Sequence, residues 1–574
     1  MKLYFTGDVK IEPEHSLMFN EIAVNIRKMF IDIIELISRH NKDSIDWWVS
    51  SPASRNIFAS PLFHYCCCLA LLQELIRTKY NFTEIVTDSK ALKYIIEEYL
   101  DGQGIKSRVT LAELSVKQRV KELVLPSYVM FGIPMGHILQ FFAAKLTKVL
   151  RTPLPSVPLT LIDTFVMPGY IEKDRYYTDL LDALSKEEKQ VVWFVPHLHG
   201  FRLWQYLPVI RRLRKSERNF LLKDDFLKFS DYWHLWGHIL KIRKLQVKPS
   251  SFQGIDISTL VREELTGFRG LSSSYAPFLN FYFVKRLKQA DVKLQLVIDW
   301  FENQNIDKGW NAGFRRFFPD VETKGYQGFV VTKHLLSLYP SVEEKNSEVI
   351  PNKIFVIGRE LVQAAKEFCP DLDVKVAPAL RFHHVWLKRK YTPAANVYPI
   401  LVALPIVIRE AVYILKLLVP VANEMLDNTR FWIKPHPAIS QSQIRGAFYS
   451  GWPERFEFLN GDFRDCVEKS YLLISNASSV CMETLAKGIP VIVIGNSHGL
   501  THNPIRETIT DDVWRLCNTP EEVTKAIQFY RGRSFEKIKE HEAACIRIRE
   551  GYFEPVTRRG VRKFLGLSEG IEDA

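Results

Sequence analysis

The feature that most constrains this chain is the alternation of short apolar runs with helical stretches through its C-terminal part. The apolar runs are Lys353–Ile357, Val374–Ala377, Tyr398–Leu404, Arg430–Ile433, Phe456–Leu459, Tyr471–Ile474 and Pro490–Ile494. Ile406–Met425, Ser440–Tyr449 and Ser478–Lys487 carry helical spacing between the later ones. Strands that are apolar throughout and separated by helices build a parallel sheet covered on both faces. The N-terminal part alternates as well. Strand patterns fall at Lys2–Thr6, Asp46–Ser51, Glu84–Thr87, Leu159–Val166, Val191–Val195 and Leu294–Ile298. Helical patterns fall at Leu17–Ser38 and Ala91–Leu100, with a further helix opened by Pro61. The charged stretch Ser341–Asn352 reads as the boundary between halves. The expected fold is α/β: two Rossmann-like domains facing across a cleft. Residues 1–345 form the acceptor side, with a hydrophobic and basic insertion near 103–156, and 346–574 form the second domain plus a tail.

At 574 residues, 47% hydrophobic and 25% charged, the chain has the means to bury sizeable cores, which excludes a mainly disordered or collagen-like protein. Its eight cysteines include no pair of CxxC arms and are expected to be free thiols in a reducing cytoplasm. The opening MKLYFTGDVK is a strand pattern with acids too early for a signal peptide. A net charge of +12 allows an anionic partner without choosing one. Leu123–Ala144 runs 22 residues without a formal charge between Lys117, Arg119, Lys121 and Lys145, Lys148, Arg151. Its length suits a bilayer span, whereas Pro126, Pro134, Gly132, Gly136, His137 and Gln140 favour a segment in the membrane interface or a buried or inter-domain helix pair. Residues 201–250 hold twelve Lys/Arg against four acids, either a solvated face or a contact for anionic lipid or acceptor.

Two strand ends carry chemistry. In FWIKPHP an apolar strand ends at Lys434, and His436 follows between Pro435 and Pro437. Ligands of open α/β sheets bind beyond the carboxyl ends of strands, and a proline-braced imidazole there is aimed at low entropic cost. Lys434 adds positive charge. In YLLISNASSVCMETLAKGIP a strand ends at Ser475–Asn476, and Ser478 or Ser479 caps the next helix, leaving backbone N–H groups and a positive dipole end for a phosphate. Glu483, one turn in, is placed to accept from ribose hydroxyls. On the N-terminal side Asp299 and Glu302 follow the strand Leu294–Ile298 and are candidates for general base or nucleophile. His197 and His199 follow another strand as a weaker candidate for a metal or an anionic acceptor, and Arg55 is a candidate fork for carboxylate or phosphate. Asp371–Leu372–Asp373 precedes a strand and reads as solvated. No Walker A or GxGxxG sequence occurs, and no pattern supports nucleic acid as partner.

His436–Pro437 followed by Ser478–Ser479 resembles the donor domain of GT-B glycosyltransferases of bacterial surface polysaccharides. Polysialyltransferases and capsule-type Kdo transferases, which use CMP-sugars, carry such a pair, and CDP-glycerol glycerophosphotransferases carry a similar one. WWVSSPASRN (47–56) and DWFENQNIDKGW (299–310) resemble phrases of an O-antigen-type surface-carbohydrate biosynthesis family. The resemblance implies that His436, Ser478 and Ser479 hold the nucleotide phosphates, with no metal or other cofactor in the transfer step. The acidic-acidic-Gly motif that supplies the base in polysialyltransferases has no counterpart here. The implied function is transfer of a sugar from a nucleotide donor, CMP-linked and Kdo- or sialic-acid-like, to a glycan or lipid-linked glycan acceptor. The expected location is the cytoplasm, at the inner face of the membrane. The alternatives are a CDP-alditol phosphotransferase and a non-catalytic membrane scaffold.

Overall fold

The computed structural model describes residues 2–7, 11, 13–172, 174–387, 398–425, 429–448, 451–476, 479–510 and 512–567. The first strands, β1 (Lys2–Phe5), β2 (Glu84–Thr87) and β3 (Arg108–Leu111), form a small parallel sheet in that order. β4 (Leu159–Val166) and β5 (Val192–Leu198) come next, and β6 (Ser251–Phe252) and β7 (Ile255–Asp256) make a short antiparallel pair. β8 (Leu294–Trp300), β9 (Glu322–Gln327), β10 (Lys353–Val356) and β11 (Val374–Val376) join β4 and β5 in a six-stranded parallel sheet of order β11-β10-β9-β8-β4-β5. The last six are β12 (Tyr398–Ala403), β13 (Thr429–Lys434), β14 (Phe456–Phe458), β15 (Leu472–Ser475), β16 (Val491–Ile494) and β17 (Trp514–Cys517). They form a second parallel sheet of order β14-β13-β12-β15-β16-β17. The expected pair of Rossmann-like α/β units is therefore present, and every C-terminal apolar run is a strand. Ile474 and Ile492 pair side by side and both are wholly buried, as a sheet covered on two faces requires.

Three expectations are corrected. β10 and β11 pair with β9 in the first sheet, so Ser341–Asn352 is not the boundary: the chain crosses between sheets after Val376 and before Tyr398. The charges that gave 341–352 the look of a linker are instead used inward. Ser341 caps the helix Val342–Asn346, and Glu344 is 2% exposed. Residues 1–111 are not part of the first Rossmann-like sheet but carry their own. Asp46–Ser51 is not a strand: it runs from the helix Ile45–Trp48 through an extended Ser50 into the next helix. Its Trp47 and Trp48 carry strand propensity, but Pro52 sits in the first turn of a helix at Ser51–Ser54 and fixes the helical φ there.

The chain does not end on the second sheet. The helix Arg558–Leu565 returns to the first, where Lys324 Nζ donates to the Phe564 carbonyl at 2.6 Å and Phe564 packs against Tyr326 and Phe355. The N-terminal helix Pro13–Asn25 reaches the other way, with Ser16 Oγ donating to the Asn496 carbonyl at 2.8 Å and Thr501 N–H donating to Asn20 Oδ1 at 2.7 Å. Both ends thus tie one half to the other. All eight cysteines are buried, and no disulfide joins any two of them.

Candidate active site between the two sheets

Each large sheet reverses its direction of growth once. In the first, β5 lies on one side of β4 and β8 on the other; in the second, β13 lies on one side of β12 and β15 on the other. Such a switch point opens a crevice at the carboxyl ends of the strands. Glu302 follows β8 at the first crevice. Asn476 follows β15 at the second, where its Nδ2 donates to Glu410 Oε2 at 2.9 Å from the helix that follows β12. A pocket of about 260 Å3 beside Arg315, Asn352, Asp371 and Asp373 lies instead where β10 and β11 begin, at the amino edge. Asp371 and Asp373 are exposed there, as expected of a solvated DxD.

Glu302 and Asp299 part company. Asp299 is 1% exposed, and Asn311 Nδ2 donates to it at 2.5 Å. Burial, then the charges of Asp307 and Asp163, push its pKa well above the carboxylate range, and at that depth it meets no substrate. That removes it as base or nucleophile. Glu302 is half-buried at the strand end. Its oxygens accept from Trp300 Nε1 at 2.9 Å and Gln304 Nε2 at 2.6 Å, which fixes the carboxylate. Burial raises its pKa while those hydrogen bonds and Arg381 hold it back. A positioned carboxylate with a raised pKa is suited to take up a proton.

On the second sheet, Lys434 Nζ is drawn to the Gly461 carbonyl at 2.5 Å, so it holds the loop before it can serve a ligand. His436 is half-buried. Its Nδ1 accepts the Ala438 N–H at 3.2 Å, which leaves the proton of the neutral ring on Nε2 as a donor. Burial lowers its pKa, and Arg175 lowers it further. Ser479 opens the helix Ser479–Ala486, while Ser478 lies outside the described residues. Glu483 is 8% exposed and pairs with His384 Nε2 at 3.1 Å, so its carboxylate faces the crossing segment and not an open ribose site.

That crossing segment brings the halves together. Tyr326 Oη donates to the Pro378 carbonyl and accepts from Leu380 N–H, at 2.7 and 3.1 Å, anchoring the chain just before Arg381. His383 Nδ1 meets Asp179 at 2.8 Å on the first half, and His384 meets Glu483 on the second. A pocket of about 140 Å3 opens here beside Asp179, Arg381, His383, His384 and Arg464. The Arg381 guanidinium makes no hydrogen bond or ion pair with any described side chain, yet its charge acts on Glu302 and Tyr176 of one half and Glu483 of the other. Arg175 is equally unneutralised among the described residues, and its charge reaches Tyr176, Arg381 and His436. Two half-buried arginines that repel one another across a cleft are a place prepared for an anion. Sequence reasoning missed both because neither ends a strand; the signal for Arg381 was the cationic run Arg381-Phe382-His383-His384 between two sheets.

No protein-family model and no curated protein sequence matches the chain. Solved structures resemble it over most of their length. Staphylococcus aureus MnaA in complex with UDP is 11% identical at a TM-score of 0.43, covering 72% of this chain and 98% of its own. The calicheamicin glycosyltransferase CalG4 is 11% identical at 0.41, covering 71% and 98%. MurG of Acinetobacter baumannii is 11% identical at 0.38, covering 71% and 99%.

The remaining candidates are structural. His197 is buried between Asp163 Oδ2 at 3.2 Å and Lys223 Nζ at 3.0 Å, with its pKa lowered to about 4 by burial, while His199 points to solvent. The two do not converge, and no metal-ligand cluster occurs among the described residues. Arg55 is not an open fork: it is 2% exposed and its Nη2 reaches both Glu344 oxygens at 2.7 Å. Asp46, His238 and Ser274 stand in the hydrogen-bond order of a nucleophilic triad, at 2.6 and 2.9 Å, but Ser274 is wholly buried and donates to the Leu271 carbonyl. No substrate reaches it.

Proposed function

We propose that the chain is a GT-B glycosyltransferase that moves a sugar from a CMP-linked donor to a surface-glycan acceptor. The observation that carries this reading is the convergence, at the carboxyl edges of two parallel sheets, of a fixed carboxylate from one half, an imidazole donor from the other and, between them, two arginines that pair with no described side chain. The donor phosphate is met by His436 Nε2–H, Arg381 and Arg175, with the start of the Ser479 helix adding backbone N–H groups. Glu302 takes the proton of the acceptor hydroxyl as its oxygen bonds to the anomeric carbon. The sugar–phosphate bond breaks in the same event, and its electrons leave on the nucleotide phosphate, where the arginines meet the charge. The cytidine preference and the surface-glycan acceptor rest on the motif resemblance.

The test is product analysis with CMP-linked acidic sugars. Wild type releases CMP and transfers sugar, while Glu302→Gln keeps CMP affinity and loses about 10²–10⁴-fold in transfer. Phosphate carried into the product identifies the CDP-alditol phosphotransferase instead. A chain that binds no nucleotide is a scaffold.

A further inference from the structure

The uncharged segment Leu123–Ala144 lies within one continuous helix, Val116–Leu146, in which a π-turn at Tyr128–Gly132 joins two α-helical parts. From Val129 to Ala144 the helix is packed against the first half, whereas Val116–Ser127 buries no residue. Val129, Ile138, Phe141 and Ala144 are buried in that half, and Gln140 Nε2 donates to Asp224 at 2.9 Å. Met130, whose carbonyl receives no N–H from Pro134, accepts Trp236 Nε1 at 2.9 Å. A helix held this way does not cross a bilayer, and it is not a core helix either. Its other face is apolar and open: Val120, Val124, Tyr128, Phe131, Met135 and Leu139 recur at helical spacing, and the row continues through Phe142 and Leu146. Phe131 is 61% and Leu146 is 74% exposed. Neighbouring elements extend the row. Phe229 and Trp233, one turn apart on the helix Phe229–Ile242, are exposed beside Phe142 and Trp236. Leu203 lies over Gly136, and Trp204 next to it is 69% exposed under the Arg202 guanidinium.

We propose that this face is a monotopic docking surface for an anionic lipid bilayer. Charge chooses that occupant. Lys117, Arg119, Lys121, Lys148, Arg202 and Lys228 rim the apolar row and are exposed, and Glu122 is the sole acid from Val116 to Leu146. Basic residues around an apolar row with Trp and Tyr among it match headgroups over acyl chains; a second copy of the same face would bring like charges together. The loop carrying Leu203 and Trp204 leaves the carboxyl end of β5, the same sheet edge as Glu302, so docking brings the cleft towards a lipid-linked acceptor.

Co-sedimentation of the full chain with vesicles tests this without any donor, so its outcome is independent of the proposed chemistry. Vesicles of phosphatidylcholine mixed with phosphatidylglycerol bind the chain at low salt and release it at high salt, and phosphatidylcholine alone binds it weakly. Phe131→Asp and Trp233→Asp each weaken binding about tenfold or more, and Lys121→Glu about fivefold. Melting temperatures stay unchanged because these side chains face solvent. No binding to anionic vesicles at low salt overturns the proposal, as does binding indifferent to Phe131→Asp. So does a dimer in solution that Phe131→Asp dissociates, which gives the face to a second copy.

Discussion

At the scale of single residues, environment separates groups that look alike in sequence. Asp299 and Glu302 are three residues apart at one strand end, and only Glu302 combines a fixed carboxylate with access to the cleft. Because burial raises its pKa, the rising limb of the rate–pH profile should lie above the ordinary glutamate range, with activity gained as pH rises and Glu302 loses its proton. Removing the opposing charge in Arg381→Ala should move that limb higher still, which a pH series of transfer rates reads directly. A second carboxylate affects stability instead. Burial pushes Glu264 up to about 7, against the hydrogen bond from Ser60 Oγ at 2.7 Å. Between the ordinary glutamate value near 4.5 and about 7 the folded chain holds a proton that the unfolded chain has lost, so this group's contribution to stability falls as pH rises through that window. Glu264→Gln should remove that part of the slope, so that the gap in melting temperature between variant and wild type changes across the window and is constant above it. A gap that does not vary with pH contradicts the assignment.

At the scale of elements, the two phrases WWVSSPASRN and DWFENQNIDKGW turn out to build one joint. Arg55 from the first and Asn303 and Lys308 from the second all converge on Glu344, and all four residues are buried. Asn305 adds a hydrogen bond to the Val49 carbonyl at 3.3 Å, and Gly309 lets its helix close on the helix Tyr275–Gln289, where a Cβ would stand 2.0 Å from the Pro277 carbonyl. Glu344→Ala leaves two cations buried without their carboxylate and should cost about 3–5 kcal/mol, measured by denaturant unfolding; a cost under about 1 kcal/mol contradicts the joint. This joint also explains what was legible. Strands that are apolar end to end, such as Val491–Ile494, announce a covered parallel sheet whatever surrounds them. Glu344 looked like a linker charge because nothing local to it names Arg55, which is 289 residues away. The register that recruits β10 and β11 into the first sheet is likewise a tertiary choice, as is the small sheet of residues 1–111. His436 and Glu302 were legible because strand ends are local features; Arg175 and Arg381 were not, because only the fold brings them together.

At the scale of the whole molecule, two sheets are held at a fixed approach by chain ends that cross between them and by a segment, Leu380–Trp386, that bonds to both. The cleft they enclose has, at the meeting of the carboxyl edges, the positive charge of Arg175 and Arg381, which no described side chain pairs. An anionic donor there would join the halves through Arg175, Arg381 and His436 together, so loss of the His436 imidazole should weaken nucleotide binding without unfolding the chain. The most direct measurement is a calorimetric titration of CMP into wild type and His436→Ala. Loss of a hydrogen bond to a charged phosphate amounts to about 1.5–3 kcal/mol, so the variant should bind about tenfold to more than a hundredfold more weakly at an unchanged melting temperature. Equal affinity for CMP in a folded His436→Ala chain would contradict the account.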